Sequence, residues 1–328
     1  MLLPWQHTIF QQLQQCRREN RLPHAILLSG PAGIGKQALA EAFALSLLCE
    51  SPHTDGTACG ACHACAMLRA GSHPDLHRIG PEDISKNIRI DQIRALIETL
   101  SLRSHYGRHK VVILNPADAM NTAAANSLLK TLEEPPSDTI LLLLSARPSR
   151  LPATIRSRCQ TLHMATPHPE EAASWLKSQL EAGQETETLL ALAGGAPLTA
   201  LQLAEDERLA SRKQMLSDWL QLANGEGDPV RLASNWVKPD AALPITWIYG
   251  WLTDMIRLRA SQTTRLNNPD AKATLQKLAE ELDLQRIYGM LDRVQDAMRL
   301  LDSQVNPQMI LEGILLYWRN LPRTAKNN

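Results

Sequence analysis

From Ala25 to Leu45 the chain reads AILLSGPAGIGKQALAEAFAL, and no other stretch restricts its fold as tightly. A short apolar run ended by glycine predicts a buried strand. Strong helix formers from Lys36 onward predict a helix. Between them, GPAGIGKQ obeys the phosphate-loop pattern G-x-x-x-x-G-K-[ST] except at its last position. Glycines let backbone N–H groups converge on phosphate oxygens, and the helix start near Gly35 adds its positive end. Gly30, Gly33, Gly35 and Lys36 are therefore candidate phosphate ligands. Gln37 stands where a Ser or Thr hydroxyl ordinarily holds magnesium. A chance glycine-rich turn is the bland alternative, and the flanking strand and helix argue against it.

A second stretch bears on the same chemistry. Loops of this kind are accompanied by a later strand ending in an acidic pair, Asp for magnesium and Glu to polarise the attacking water. The matching strand here is KVVILNPADAM, which puts Asn115 and Pro116 at those places. Asn is a neutral, weaker metal partner, and Pro has no side-chain base. Asp118 lies three residues beyond Asn115 and, in a regular continuation, points elsewhere. Both departures fall on metal handling and water activation. The expectation is a site without ATP hydrolysis or magnesium; binding of ATP or ADP stays open, because Lys36 and the glycines are intact.

Strand and helix signals alternate as far as Met164, which argues for a parallel sheet covered on both faces. IDQIRALIETLSLRS predicts an amphipathic helix with Ile90, Ile93, Leu96, Ile97 and Leu100 on one face and Asp91 as a candidate cap. AAANSLLKTLEEPP predicts a helix stopped by Pro135 and Pro136. After TPHP only helical signals follow. The predicted fold is an α/β phosphate-loop domain over 1–165, a small helical domain over 166–208 and an all-α domain over 209–328.

Four of the six cysteines cluster as Cys49, Cys59, Cys62 and Cys65, in the spacing C-x9-C-x2-C-x2-C. Two overlapping C-x2-C steps gather three thiolates on a tight turn, and Cys49 closes a tetrahedron. That donor set suits a structural zinc ion, with no open position for catalysis. Unligated thiols, His63 or His73 in place of one cysteine, or an iron–sulfur cluster are the alternatives. Cys16 and Cys159 read as ordinary, partly buried cysteines.

Bulk composition excludes little but is consistent. Lys plus Arg equals Asp plus Glu, 34 each, so no charge excess argues for avid DNA binding by this chain alone. The N-terminal stretch lacks a signal-peptide core, and no apolar run reaches the roughly 18 residues of a membrane span. A cytoplasmic location is expected.

LPATIRSRC ends in Ser157, Arg158 and Cys159. Alone, this reads as a solvated helix end. Together with the phosphate loop, the four-cysteine insert (about 49–65) after the first helix, and SLLKTLEEPP, it resembles the clamp-loader branch of the AAA+ family, over about Leu22 to Leu203. The resemblance implies a RecA-like AAA+ domain, a helical lid and a C-terminal collar that holds subunits in a hetero-pentameric ring. It implies that Arg158 is an arginine finger acting in trans on a neighbouring subunit's ATP, a role suited to a planar, permanently charged guanidinium. It implies γ/τ and δ subunits, the sliding clamp and primed DNA as partners, within a DNA polymerase holoenzyme. Gln37, Asn115 and Pro116, with Pro197 and Leu198 where a lid-helix arginine is expected, mark a non-hydrolysing, stator-like member. A γ/τ-like ATP-hydrolysing motor is the alternative, and a zinc-dependent nucleic-acid module is a third reading. Ser145 occupies the polar position that in the family faces the γ-phosphate. Lys130 lies on the helix that in the family faces the central chamber, and Glu133 and Glu134 read as surface or interface acids.

Overall fold

A computed structural model of the chain describes residues 2–82, 87–106, 109–181, 185–205, 208–238, 241–261, 266–301 and 305–322. Two compact units are present: Met1–Trp175 with Ala196–Thr199, and Leu176–Gly195 with Ala200–Asn328.

The first unit opens with helix α1 (His7–Arg18), strand β1 (Ala25–Ser29), helix α2 (Lys36–Leu48) and the short helix α3 (His63–Arg69). Strand β2 (Leu76–Ile79), helix α4 (Ile90–Ser101), strand β3 (Lys110–Leu114) and helix α5 (Thr122–Glu133) follow. Strand β4 (Thr139–Ser145), the one-turn helix α6 (Ala153–Arg156), strand β5 (Gln160–His163) and the first part of helix α7 (Pro169–Gln179), as far as Trp175, complete the sequence of elements. The five strands form one sheet in the order β2-β3-β4-β1-β5, every pair parallel. β1 and β4 run in the register Ala25 to Leu141 and Ser29 to Ser145.

Alternation along the strands divides the core in two. Ile26, Leu28, Val111, Ile113, Leu142 and Leu144 pack with Phe10, Leu39, Phe43 and Leu47 of α1 and α2. Ala25, Leu27, Val112, Leu114, Leu141 and Leu143 pack with Ile93, Leu96, Leu128 and Leu132 of α4 and α5. Burial on both faces is why these strands read as continuous apolar runs rather than as alternating ones. Helix α4 departs from expectation at its start. Arg89, not Asp91, is the N-cap residue, and its N–H is satisfied by Gln92 Oε1 at 2.8 Å. Asp91 sits in the first turn, where its charge suits the helix dipole.

In the second unit, α8 (Thr186–Leu192) and most of α9 (Pro197–Glu205) precede a bundle of α10 (Arg208–Ala223), α11 (Pro229–Trp236), α12 (Ala242–Ala260), α13 (Lys272–Glu281), α14 (Leu284–Leu300) and α15 (Pro307–Arg319). Its core is built on tryptophans. Trp219 stacks on Trp318 with centroids 4.0 Å apart, and Trp318 Nε1 donates to the Trp219 carbonyl at 2.9 Å. Asp254, fully buried on α12, accepts from the Asn267 and Asn268 amides at 3.0 and 2.7 Å and so pins the turn leading to α13. No helix among the described residues is long and apolar enough to cross a membrane.

Candidate functional site

Parallel sheets place ligands beyond the carboxyl ends of their strands. The loop after β1 lies there, and it is held closely. Gly30, Gly33 and Gly35 have φ of 151°, 73° and 87°. A Cβ on Gly33 would also lie 1.9 Å from Thr199 Oγ1, so glycine is required twice over at that position. The loop's carbonyls are tied outward. Gly33 O accepts from Leu198 N at 3.0 Å, Ile34 O from Trp5 Nε1 at 2.9 Å, and Gly35 O from Gln6 Nε2 at 2.6 Å. Trp5, Gln6 and Thr199 carried no signal in the sequence; they matter through distant contacts that no local pattern announces.

Lys36 opens α2 and is buried, its ammonium donating to the carbonyls of Gly30 and Pro31 at 2.7 and 2.6 Å. Burial pulls its pKa below the ordinary lysine value, and the Asp118 carboxylate opposes that pull. Gln37 and Asn115 meet: Asn115 Nδ2 donates to Gln37 Oε1 at 3.0 Å. Ser145, fully buried at the end of β4, donates to Asp118 Oδ1 at 2.6 Å, while Arg147 Nε lies 3.5 Å from the other carboxylate oxygen. Asp118 therefore does not point elsewhere. A 3-10 turn over Ala117–Ala119 breaks the regular continuation and turns the carboxylate back to β4.

The four clustered cysteines come together at the end of α2. Their sulfurs lie within 4.8 Å of one another, and the Cys49–Cys62 and Cys59–Cys65 pairs stand at 3.9 Å. A tetrahedron of thiolates about a metal at ~2.3 Å has edges of about 3.8 Å. Backbone amides already point at the sulfurs: Cys59 N to Cys49 Sγ at 3.3 Å, and Cys62 N to Cys59 Sγ and Cys65 N to Cys62 Sγ, each at 3.4 Å. The amides of Ala61 and Cys62 hold the Cys59 thiol down at about 6, whereas burial pushes the Cys65 thiol up to about 12. A bound cation reverses the latter, since a coordinating thiol is deprotonated outright. The cluster fits a metal ion. His63 and His73 are not among its ligands; His73 is buried elsewhere, with Nδ1 accepting from Asp75 N at 3.2 Å.

Arg158 has a separate set of partners. It follows α6, and its Nε donates to Glu133 Oε1 at 2.9 Å, while Nη1 donates to the Thr154 carbonyl at 2.9 Å. Its side chain is 34% exposed. Lys130 is exposed in the last turn of α5. Cys16 and Cys159 are partly buried, and burial pushes the Cys159 thiol up to about 11.

Comparison with known proteins covers nearly the whole chain. A family model described as DNA polymerase III, delta subunit, matches residues 5–168, and one described as DNA polymerase III, delta subunit, C terminal, matches 206–320. The chain is similar to the DNA polymerase III subunit delta′ of Pseudomonas aeruginosa, at 39% identity over 98% of each chain. It is also similar to the subunit of the same name from Escherichia coli, at 31% identity over 95% of this chain and 94% of that one.

Proposed function

The chain belongs to the DNA polymerase III delta′ family of clamp-loader subunits, and from that premise we propose that it is the loader's non-hydrolysing, stator-like member. In this reading it assembles with γ/τ and δ subunits into a hetero-pentamer that loads the sliding clamp onto primed DNA in the cytoplasm. It donates Arg158 to a neighbouring motor subunit's ATP.

The observation that carries the reading is the Gln37–Asn115 hydrogen bond. Two neutral amides satisfy each other where a hydroxyl and a carboxylate would hold magnesium, and the adjacent Pro116 supplies no base. The phosphate cradle of Gly30, Gly33, Gly35 and Lys36 keeps its form, but its lysine is spent on loop carbonyls. A nucleotide has to compete with these internal bonds. No observation favours the γ/τ-like alternative.

The four-cysteine cluster is assigned to zinc: Cys49, Cys59, Cys62 and Cys65 would hold it, as a stabiliser of the turn between α2 and α3. Three functional regions are proposed, an AAA+ domain over 1–165, a lid over 166–208 and a collar over 209–328, with the α5 lysine Lys130 available to DNA phosphates.

Purified alone, the chain should turn over no ATP with magnesium present. In the reconstituted loader, Arg158→Ala should lower DNA- and clamp-dependent ATP turnover at least tenfold, a floor set well below the roughly 10³–10⁵ that a trans arginine contributes at its own site. ATP turnover by the isolated chain would sink the stator role, and full activity of the R158A complex would sink the finger. Metal analysis should return one zinc per chain, lost on replacing Cys62 by Ser.

A further inference from the structure

Arg158 does not project freely. Nε and Nη2 both donate to Glu133 Oε1, at 2.9 and 2.5 Å, and Nη1 donates to the Thr154 carbonyl at 2.9 Å and to Ser157 Oγ at 3.4 Å. All three guanidinium nitrogens are thus engaged within their own chain. A phosphate of another subunit needs at least two of these donors, because the guanidinium recognises such anions as a fork.

Glu133 is oddly placed for any local purpose. It is the last residue of α5, where the helix dipole disfavours a negative charge. Pro135 and Pro136 already end the helix. The helix gains nothing from an acid at this position, and among the described residues its partner is the arginine 25 residues on.

We propose that Glu133 is a latch for Arg158, a positioning residue that holds the guanidinium on its own subunit until phosphate oxygens of a neighbour displace it. The proposal rests on the trans role given to Arg158 above. The exposures suit a latch rather than a permanent tie. The two side chains are 34% and 49% exposed, and a pair so open to solvent is worth a factor of about two to five. A triphosphate terminus carries more charge than a carboxylate and outcompetes it, whereas water and chloride do not. The carbonyl of Thr154 and the hydroxyl of Ser157 keep the freed arginine near its surface position.

The test uses the reconstituted loader containing this chain with its motor and δ subunits, clamp and primed DNA. ATP turnover is followed against ATP concentration for wild type, Glu133→Gln, Arg158→Ala and the double variant. Release of the latch should raise kcat/KM about two- to fivefold in E133Q. Glu133→Lys, which repels the guanidinium, should move it in the same direction and further. Neither gain should survive in the R158A background, and both should shrink in high salt. A merely structural Glu133 would lower turnover in E133Q and act with or without Arg158. A kcat/KM for E133Q at or below wild type, with R158A still damaging, overturns the latch and leaves the finger standing. An R158A complex as active as wild type overturns the finger itself.

Discussion

Asn115 Nδ2 donates to Gln37 Oε1 at 3.0 Å, which joins the end of β3 to the first turn of α2 across the place where a phosphate-loop enzyme holds its metal. The two residues are 78 positions apart in sequence, and they stand where a phosphate-loop enzyme has a hydroxyl and a carboxylate as metal ligands. The bond lets the two departures accommodate each other, an amide donor facing an amide acceptor at the exposed mouth of the loop.

Restoring the ligands should therefore restore metal dependence before it restores chemistry. Gln37→Thr with Asn115→Asp should make nucleotide binding at least tenfold tighter with magnesium than without, as read by titration of the isolated chain. Turnover should stay absent, because Pro116 still supplies no base for water. Turnover by the double variant would show that the acid at that position is dispensable here. Binding that ignores magnesium would show that the geometry, and not the ligand type, had been lost.

Asp118 is the counter-ion of this site. Its side chain is 4% exposed, it accepts from Ser145 Oγ and lies beside Arg147, and it draws the Lys36 ammonium toward its charged form. Asp118→Asn should cost about 1–3 kcal/mol in urea unfolding, the range for a compromised buried acceptor. It should also leave Lys36 and Arg147 less neutralised, so pyrophosphate binding without magnesium should tighten severalfold. Unchanged stability together with unchanged pyrophosphate affinity would remove Asp118 from the site.

His73 and His77 give the first unit a definite pH response. Burial holds both imidazoles below their usual value near 6.5; Asp75 pulls the other way for each, and Lys110 reinforces the depression at His77. A histidine depressed in the fold stays neutral while its unfolded counterpart takes up a proton. Its contribution is full above pH 6.5 and is lost as pH falls through that value toward the folded pKa. Thermal unfolding should show a Tm level near pH 7–8 that declines as the pH falls below about 6.5, with the slope reduced in the double variant His73→Gln, His77→Gln. A Tm that holds or rises on acidification over that window would contradict it.

The sheet was legible because burial on both faces leaves uninterrupted apolar runs such as ILLLL after Thr139. The cysteine cluster was legible because its four thiols lie within one short segment, where spacing alone implies proximity. Asp118 was misread because only a 3-10 turn, rather than a strand continuation, brings it to Ser145. Asp91 was misread as the cap because the helix begins one residue before it, at Ile90, and Gln92 reaches back to the Arg89 N–H from inside the first turn. Thr199, Trp5 and Gln6 left no trace, since each touches the phosphate loop from at least 28 positions away. Local pattern reports local hydrogen bonding; the rest of a site is assembled by packing.

The buried arginine of the second unit shows what such packing costs to disturb. Arg212 on α10 is 1% exposed. It donates to both oxygens of Asp270, at 2.7 and 3.2 Å, and to Asn268 Oδ1 at 2.7 Å, while Asn268 in turn donates to the fully buried Asp254. The chain of polar groups ties α10 and α12 to the turn before α13. Arg212→Leu fills similar space but leaves Asp270 and Asn268 without their donor, and removing one partner of a buried pair typically costs about 3–5 kcal/mol. Asp270 is the more exposed partner, at 25% against 2% for the arginine side chain, so water can take over part of its solvation. Asp270→Asn keeps an acceptor for the guanidinium and should cost less than half as much. Urea unfolding followed by tryptophan fluorescence, which reports on Trp219, Trp251 and Trp318 in this core, distinguishes the two. Equal losses for both variants would mean that the pair's charge, and not the buried donor, is what stabilises the bundle.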